Sequence, residues 1–221
     1  MKRLTTLQAL LHLGAWLPLI ILILDALNDN LTFNPIQAAT QRTGDTAIIL
    51  LGLSLACTPL STYFQWKDAI KLRRPLGLYA FLYAAIHFAL FVAVDFGFDV
   101  NLIAREFVEK RYLWAGLPAF IILLALAATS FKWFMKRLGK RWKQLHKLIY
   151  LGAMLVVVHL AFVIKGDLFT LSGDVWKPLV AAITIGLLLI ARLPPLKRAW
   201  LARRSRVRRA PRSADPLPAN D

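Results

Sequence analysis

The stretch LGKRWKQLHKLIYLGAMLVVVH, residues 138–159, decides the fold. It opens with a cluster of lysines and arginines and then becomes a nearly continuous apolar run that contains His146 and His159. Continuous runs of about 20 apolar residues are typical of membrane-spanning helices, whereas strands of membrane barrels are shorter and alternate. The stretch therefore predicts a transmembrane helix that starts at a basic end and carries histidine within the bilayer.

The remainder of the chain repeats this apolar pattern. Hydrophobic residues make up 58% of the 221 residues and charged residues only 18%, against about 45–50% and 25% in soluble domains. Six runs are long enough to cross a bilayer: 10–27, 46–64, 75–96, 112–131, 145–164 and 175–193. The sequence thus predicts an all-α, six-helix transmembrane bundle over residues 1–193. The segments between the runs are too short for a nucleotide-binding domain, so we expect any such domain to belong to a partner.

The basic residues are distributed unevenly around these runs. Segments 1–9, 65–74, 132–144 and the tail from residue 192 hold 21 of the 28 lysines and arginines but only three of the 12 acids. The positive-inside rule therefore predicts that both termini and these segments are cytoplasmic. We interpret the arginine-rich tail, 194–221, as a topology anchor beside anionic membrane lipid rather than a nucleic-acid arm. Its end, 211–221, is predicted to be disordered.

All four histidines fall in or at the ends of predicted spans. Ionisable groups there are costly, so each of them is a functional candidate, with a hydrogen bond to a neighbouring helix as the structural alternative. His87 and His159 lie in helices that run in the same direction, at similar depth towards the outer side. His146 lies 13 residues before His159, about 19 Å along a helix. Imidazole pairs are natural axial ligands of b-type haem iron, and the vertical separation suits two stacked haems. The one cysteine, Cys57, excludes a thiolate cluster and is interpreted as a buried small apolar residue.

Helical periodicity supports one part of this arrangement and weakens another. Arg73 lies 14 residues before His87, and 14 steps return to within about 40° of the same face. On an ideal helix the 13 steps from His146 to His159 leave the two side chains about 140° apart, so their pairing needs a local bulge, a frayed helix start near His146 or a favourable rotamer. His12, early in the first span, is open to a structural role, which we favour, a quinone contact or an alternative haem-ligand role.

Small residues accompany the histidines at helical spacing. They could let a planar ring approach the backbone, or they could simply pack membrane helices closely. These residues are Gly77, Ala80 and Ala84 on the third span, and Gly152 and Ala153 on the fifth.

Two segments resemble a known family. RRPLGLYAFLYAAIH, residues 73–87, and the stretch 138–159 are similar to the haem-binding membrane subunits of bacterial protein-methionine-sulfoxide reductase systems, within the ferric-reductase-like transmembrane group. The resemblance covers nearly the whole chain. It implies b-type haem held by His87 and His159 on the outer side, with His146 as an inner-side ligand. Arg73 stands where the wider group has a second inner histidine, which leaves open whether there is one haem or two.

The same resemblance implies further features. These are bound FMN, a bacterial inner-membrane location, and a heterodimer with a periplasmic molybdopterin-containing methionine-sulfoxide reductase. Electrons would come from the quinone pool or from a separate flavin reductase, and the chain itself would be a non-catalytic relay. Two alternatives remain: a stand-alone ferric or metalloreductase, and a non-redox transporter or assembly factor that uses the histidines for protons or packing.

Overall fold

The computed structural model describes residues 5–163, 166–167, 172–173 and 175–209. The helices in these ranges are α1 (Thr6–Leu27), α2 (Pro35–Tyr63), α3 (Ala69–Ala89), α4 (Val100–Glu109), α5 (Arg111–Ala128), α6 (Lys132–Leu138), α7 (Lys140–Leu145), α8 (Ile149–Val163), α9 (Trp176–Ile190) and α10 (Pro194–Arg209). A π-helix, Leu90–Asp95, continues α3, and a 3₁₀ turn, His146–Leu148, precedes α8. Gly166–Asp167 and Ser172–Gly173 form a two-residue antiparallel pair. The predicted end of the tail, 211–221, lies outside the described residues.

Five helical segments are long and apolar enough to cross a membrane: α1, α2, α3 with its π-helix, α5, and the stretch from α7 through α8. The sixth predicted run corresponds to α9, whose 15 residues span about 22 Å. It qualifies as a span only together with α10, from which it is bent by 61°. Two consecutive prolines, Pro194 and Pro195, account for the bend because proline cannot continue a helix. The all-α transmembrane bundle is thus confirmed.

The start of α2 and the presence of α4 are the main differences from the sequence prediction. Helix α2 starts 11 residues before the predicted run, because Pro35 suits the first helical position and the Asn34 side chain accepts a hydrogen bond from the Gln37 amide. Helix α4 was not predicted, since it is short and amphipathic and contains no continuous apolar run.

Two antiparallel helical hairpins, α2 with α3 and α5 with α8, pack most extensively. Helix α1 lies against α2 and α3, and α9 lies against α2 and α8. The core between them includes Leu51, Leu55, Ala80, Tyr83 and Ala153, each at most 2% exposed. Many large apolar side chains of α1 face outward instead, as expected of a helix surrounded by lipid.

At one end of the bundle, a proline in α2 leaves a backbone carbonyl without its helical donor, and a side chain from outside α2 bonds to that carbonyl. Pro59 has no N–H, so the Leu55 carbonyl lacks its usual helical donor. The Arg192 guanidinium donates to that carbonyl instead, at 2.6 Å from Nη2 and 3.2 Å from Nε. Close by, the Tyr63 hydroxyl donates to the Ala191 carbonyl at 2.7 Å. We call this the basic end, since Arg73 also lies within electrostatic range of Arg192.

A second proline break opens α1. In an intact helix the Leu19 amide would donate to the Ala15 carbonyl. Next to Pro18, the Tyr83 hydroxyl of α3 stands between these two groups: it accepts from the Leu19 amide at 3.0 Å and donates to the Ala15 carbonyl at 2.7 Å. Tyr83 therefore repairs the α1 backbone and fixes α1 to α3 in a single contact.

Replacing Tyr83 with phenylalanine should lower the free energy of unfolding by about 1–3 kcal/mol, because it leaves a buried amide and a buried carbonyl unpaired. The check is thermal unfolding of purified protein in detergent. Tyr63→Phe, which removes one hydroxyl hydrogen bond at the basic end, is the matched control and should have the smaller effect. Wild-type stability of Tyr83→Phe would contradict this role.

Candidate functional site

The His87 and His159 side chains meet in the bundle interior, as the sequence predicted. Their ring centroids are 6.1 Å apart and their ring planes are nearly perpendicular, at 89°. His87 comes from the last turn of α3, just before the π-helix, and His159 comes from α8. The site is therefore built between the two hairpins rather than within one of them.

Each imidazole is oriented by a backbone carbonyl of its hairpin partner. His87 Nδ1 lies 2.8 Å from the Thr40 carbonyl oxygen on α2, and His159 Nδ1 lies 2.9 Å from the Tyr112 carbonyl oxygen on α5. A carbonyl oxygen can only accept, so Nδ1 carries the proton in both rings. This leaves the lone pair of each Nε2 available to a metal.

A glycine one helical turn beyond each carbonyl makes room for the ring. A Cβ at Gly116 would lie 2.5 Å from His159 Nδ1, and a Cβ at Gly44 would lie 3.1 Å from His87 Nδ1. Sequence reasoning missed both glycines and both carbonyls. The available signal is a repeated spacing: each histidine follows its carbonyl residue by 47 positions and its glycine by 43.

The two rings border a cavity of about 450 Å³, within the range of about 300–1,000 Å³ that is usual for small-molecule and cofactor sites. Its walls are mainly apolar and aromatic, and Phe88 and Phe120 stack there at 4.6 Å. Asp45 and Asp95 also border it, the latter from the π-helix. Single π-helical turns are frequent at functional sites, and this one widens α3 directly after His87.

The two imidazoles at the cavity fit a metal ion whose other ligands come from a cofactor. Among the described residues no group of three or more His, Cys, Asp or Glu side chains could hold a metal ion. A metal–imidazole bond is roughly 2 Å long and a ring nitrogen lies roughly 1 Å from its ring centre, so two axial imidazoles on one metal have centroids about 6 Å apart. The observed 6.1 Å is compatible with both rings holding one metal, whose remaining ligands a flat macrocycle would supply.

His146 lies at the 3₁₀ turn before α8 and shows similar chemistry. Its Nδ1 is 3.2 Å from the Trp142 carbonyl oxygen and its ring lies 4.0 Å from the Trp142 ring. Its Nε2 is buried and makes no hydrogen bond of good geometry in the part of the chain that the structure describes, although the Leu126 carbonyl lies close to the His146 ring. The 3₁₀ turn advances about 120° per residue, which reduces the offset between His146 and His159 from about 140° to about 80°. The helix start near His146 is thus irregular, and an offset of about 80° remains.

Arg73 is exposed and lies within electrostatic range of His146. The ion pairs found among the described residues are Arg42–Asp25, Lys71–Asp68 and Lys177–Asp45, so Arg73 has no carboxylate partner there. His12 is separate from the other histidines and pairs with Tyr79. Cys57 is 3% exposed and donates to the Leu53 carbonyl, which agrees with its interpretation as a buried small side chain.

Comparison with known proteins gives concordant results. Residues 43–158 match the family model described as the ferric reductase like transmembrane component. A protein of Herminiimonas arsenicoxydans is 38% identical over 86% of this chain and 86% of its own length. Relatives from Deinococcus radiodurans, 39% identical over 82% and 86%, and Pectobacterium carotovorum, 34% identical over 90% and 98%, align similarly. All three are named protein-methionine-sulfoxide reductase heme-binding subunit MsrQ. The chain belongs to the MsrQ family.

In this MsrQ-family chain most of the small residues that the sequence singled out pack helices together. Ala80 and Ala153 are 0% exposed in the core. A Cβ at Gly152 would lie 3.1 Å from Ile122, and one at Gly77 would lie 3.4 Å from Ser54. Only Ala84 of the set borders the cavity.

Gly116→Ala should displace the His159 ring and break its hydrogen bond to Tyr112, because the added methyl group would overlap the imidazole. Thermal unfolding should show a lower melting temperature than wild type, with a smaller decrease for Gly44→Ala. Gly186→Ala is the matched control, since nothing lies within 4 Å of the added carbon. Equal melting temperatures for Gly116→Ala and Gly186→Ala would refute the close fit.

Proposed function

We propose that this chain is a b-type haem electron-transfer subunit of the bacterial inner membrane. It passes electrons across the bilayer to a periplasmic molybdopterin-containing protein-methionine-sulfoxide reductase, with which it forms a heterodimer. The observation that carries the proposal is the imidazole pair, with both Nδ1 atoms held by carbonyls and the centroids 6.1 Å apart. When bound, b-type haem supplies an iron that exchanges single electrons.

His146 is the proposed ligand of a second haem. Its buried, unpartnered Nε2 supports this role, since a buried polar atom without a partner is costly unless something binds it. Arg73, which is within electrostatic range of His146, would balance the negative charge of a haem propionate. The inner site would therefore have one protein ligand, in contrast to the paired histidines of the outer site.

The direction of transfer follows from the proposed orientation. The basic end, with Arg73 and Arg192, faces the cytoplasm, and the cavity between His87 and His159 lies towards the periplasm. Electrons would then enter near His146 and leave near the His87–His159 pair. The domain division is part of this proposal: residues 1–193 span the membrane and residues 194–221 form the basic cytoplasmic tail beside anionic lipid.

The donor is either the quinone pool or a separate flavin reductase. FMN stays a prediction of the family resemblance, and we assign no side chains to it. In this scheme the chain is a relay, and the chemistry on methionine sulfoxide takes place at the metal of the partner. The alternative, a stand-alone ferric reductase, needs no protein acceptor; reduction of ferric chelates by the isolated subunit would favour it.

Purified wild-type protein, expressed with sufficient haem, should show a b-type spectrum that sharpens on reduction by dithionite. His87→Ala and His159→Ala should each lose the outer haem, because each change removes one of the two imidazoles that would hold it between the hairpins. Tyr63→Phe should bind as much haem as wild type. A wild-type protein without visible absorption would exclude the proposal and favour a non-redox role for the histidines.

The haem-to-protein ratio tests the inner site. We expect about two haems per chain in wild type and about one in His146→Ala, since His146 is the proposed protein ligand of the inner haem. Pyridine haemochromogen analysis of the purified proteins measures both ratios. A wild-type ratio of one that is unchanged in His146→Ala would assign His146 a structural role.

A further inference from the structure

A group of three aromatic rings lies on the seam between α1 and α3, away from the cavity. The His12 and Tyr79 ring centroids are 5.6 Å apart, and Trp16, one turn beyond His12, meets Tyr79 edge-on at 6.1 Å. His12 and Tyr79 are half-buried, and Trp16 is 45% exposed. The three rings therefore reach from the helix interface to the surface that lipid would cover.

His12 is only partly satisfied in this setting. Its Nδ1 pairs with the Tyr79 hydroxyl at 2.8 Å. Its Nε2 has no hydrogen-bond partner among the described residues and is not fully buried. An ionisable group in a spanning helix is costly and is normally fully paired when its role is structural. The spare nitrogen therefore suits a ligand that arrives from the bilayer.

The chemistry of the three rings limits the class of ligand. An imidazole nitrogen can accept a proton from a hydroxyl group, and its tyrosine partner stabilises the resulting charge. Trp16 and Tyr79 offer apolar ring faces and edges for a flat aromatic molecule. A ligand that is flat, carries hydroxyl groups and dissolves in the bilayer is a hydroquinone with an apolar tail.

The position on α3 suits delivery of electrons. Tyr79 lies eight residues before His87 and six residues after Arg73, about 12 Å and 9 Å along the helix axis. The ring group thus lies between the depths of the two proposed haem sites.

We infer that His12, Tyr79 and Trp16 form a hydroquinone-oxidation site, with His12 Nε2 as the proton acceptor. This inference rests on the proposed haem function. Both O–H bonds of the hydroquinone break, and the molecule becomes a quinone as two protons and two electrons leave. His12 accepts the protons in turn and releases the first to water at the nearby start of α1 before it takes the second. The electrons leave singly to ferric haem, which is the oxidant.

Two measurements on the full-length protein in nanodiscs test the site. The first is the rate at which decylubiquinol reduces the haem, followed by absorbance without oxygen. His12→Gln keeps a hydrogen bond to Tyr79 but cannot accept the proton, so the rate should fall at least about tenfold. Tyr79→Phe should also slow it, and the control Tyr63→Phe should not. The dithionite-reduced spectrum and the haem content should match wild type in all three variants.

The second measurement does not depend on electron transfer. A photoreactive azidoquinone should label the α1 segment around Trp16 in wild type, as mapped by mass spectrometry, and the label should decrease in His12→Gln. Wild-type rates and labelling in a haem-loaded His12→Gln would overturn the inference, as would wild-type haem that decylubiquinol does not reduce. Loss of haem in His12→Gln would also overturn it, by making His12 a ligand. Absence of haem in wild type would instead overturn the proposed function.

Discussion

The requirement that backbone polar groups find partners inside a bilayer shapes this molecule more than any other constraint. At the prolines inside α1 and α2, a side chain from elsewhere in the bundle bonds to backbone groups of the interrupted turn. Tyr83 does so for α1 at Ala15 and Leu19, and Arg192 does so for α2 at Leu55. The histidine site is built in the same way, since backbone carbonyls of α2 and α5 accept hydrogen bonds from His87 and His159. Contacts that complete the helices thus also position the helices and orient the functional rings.

The proposed functions occupy different depths of this framework. The cavity between the hairpins holds the paired imidazoles, the basic end holds His146 and Arg73, and the seam between α1 and α3 holds His12 and Tyr79. Helix α3 takes part in all three through Arg73, Tyr79 and His87. Because Tyr83 fixes α1 to this helix, the proposed donor site and the proposed haem sites share one rigid support.

The helical bundle and the pairing of His87 with His159 could be predicted from the sequence, because continuous apolar runs and histidines at matching depth can be read directly from it. Sequence reasoning anticipated an irregular helix start at His146, since ideal periodicity could not align that residue with His159. It did not reach Gly44 and Gly116, whose importance depends on which helices become neighbours. Nor could it choose between packing and cofactor roles for Ala80 and Ala153, because small residues serve both purposes in membranes. The Arg192 contact with Leu55 joins residues 137 positions apart, and no local pattern reports it.

The matched spacing in the two hairpins has a mechanical consequence. Each hairpin contributes one histidine, one carbonyl that accepts a hydrogen bond from it and one glycine that makes room for its ring. The two histidines face each other across a gap. A metal held by both rings would act as a cross-link between the two hairpins. Its binding free energy would add to the cohesion of the bundle, since a ligand that prefers the folded state stabilises it. The cofactor and the scaffold would then depend on each other, and the loaded protein would be the stiffer of the two forms.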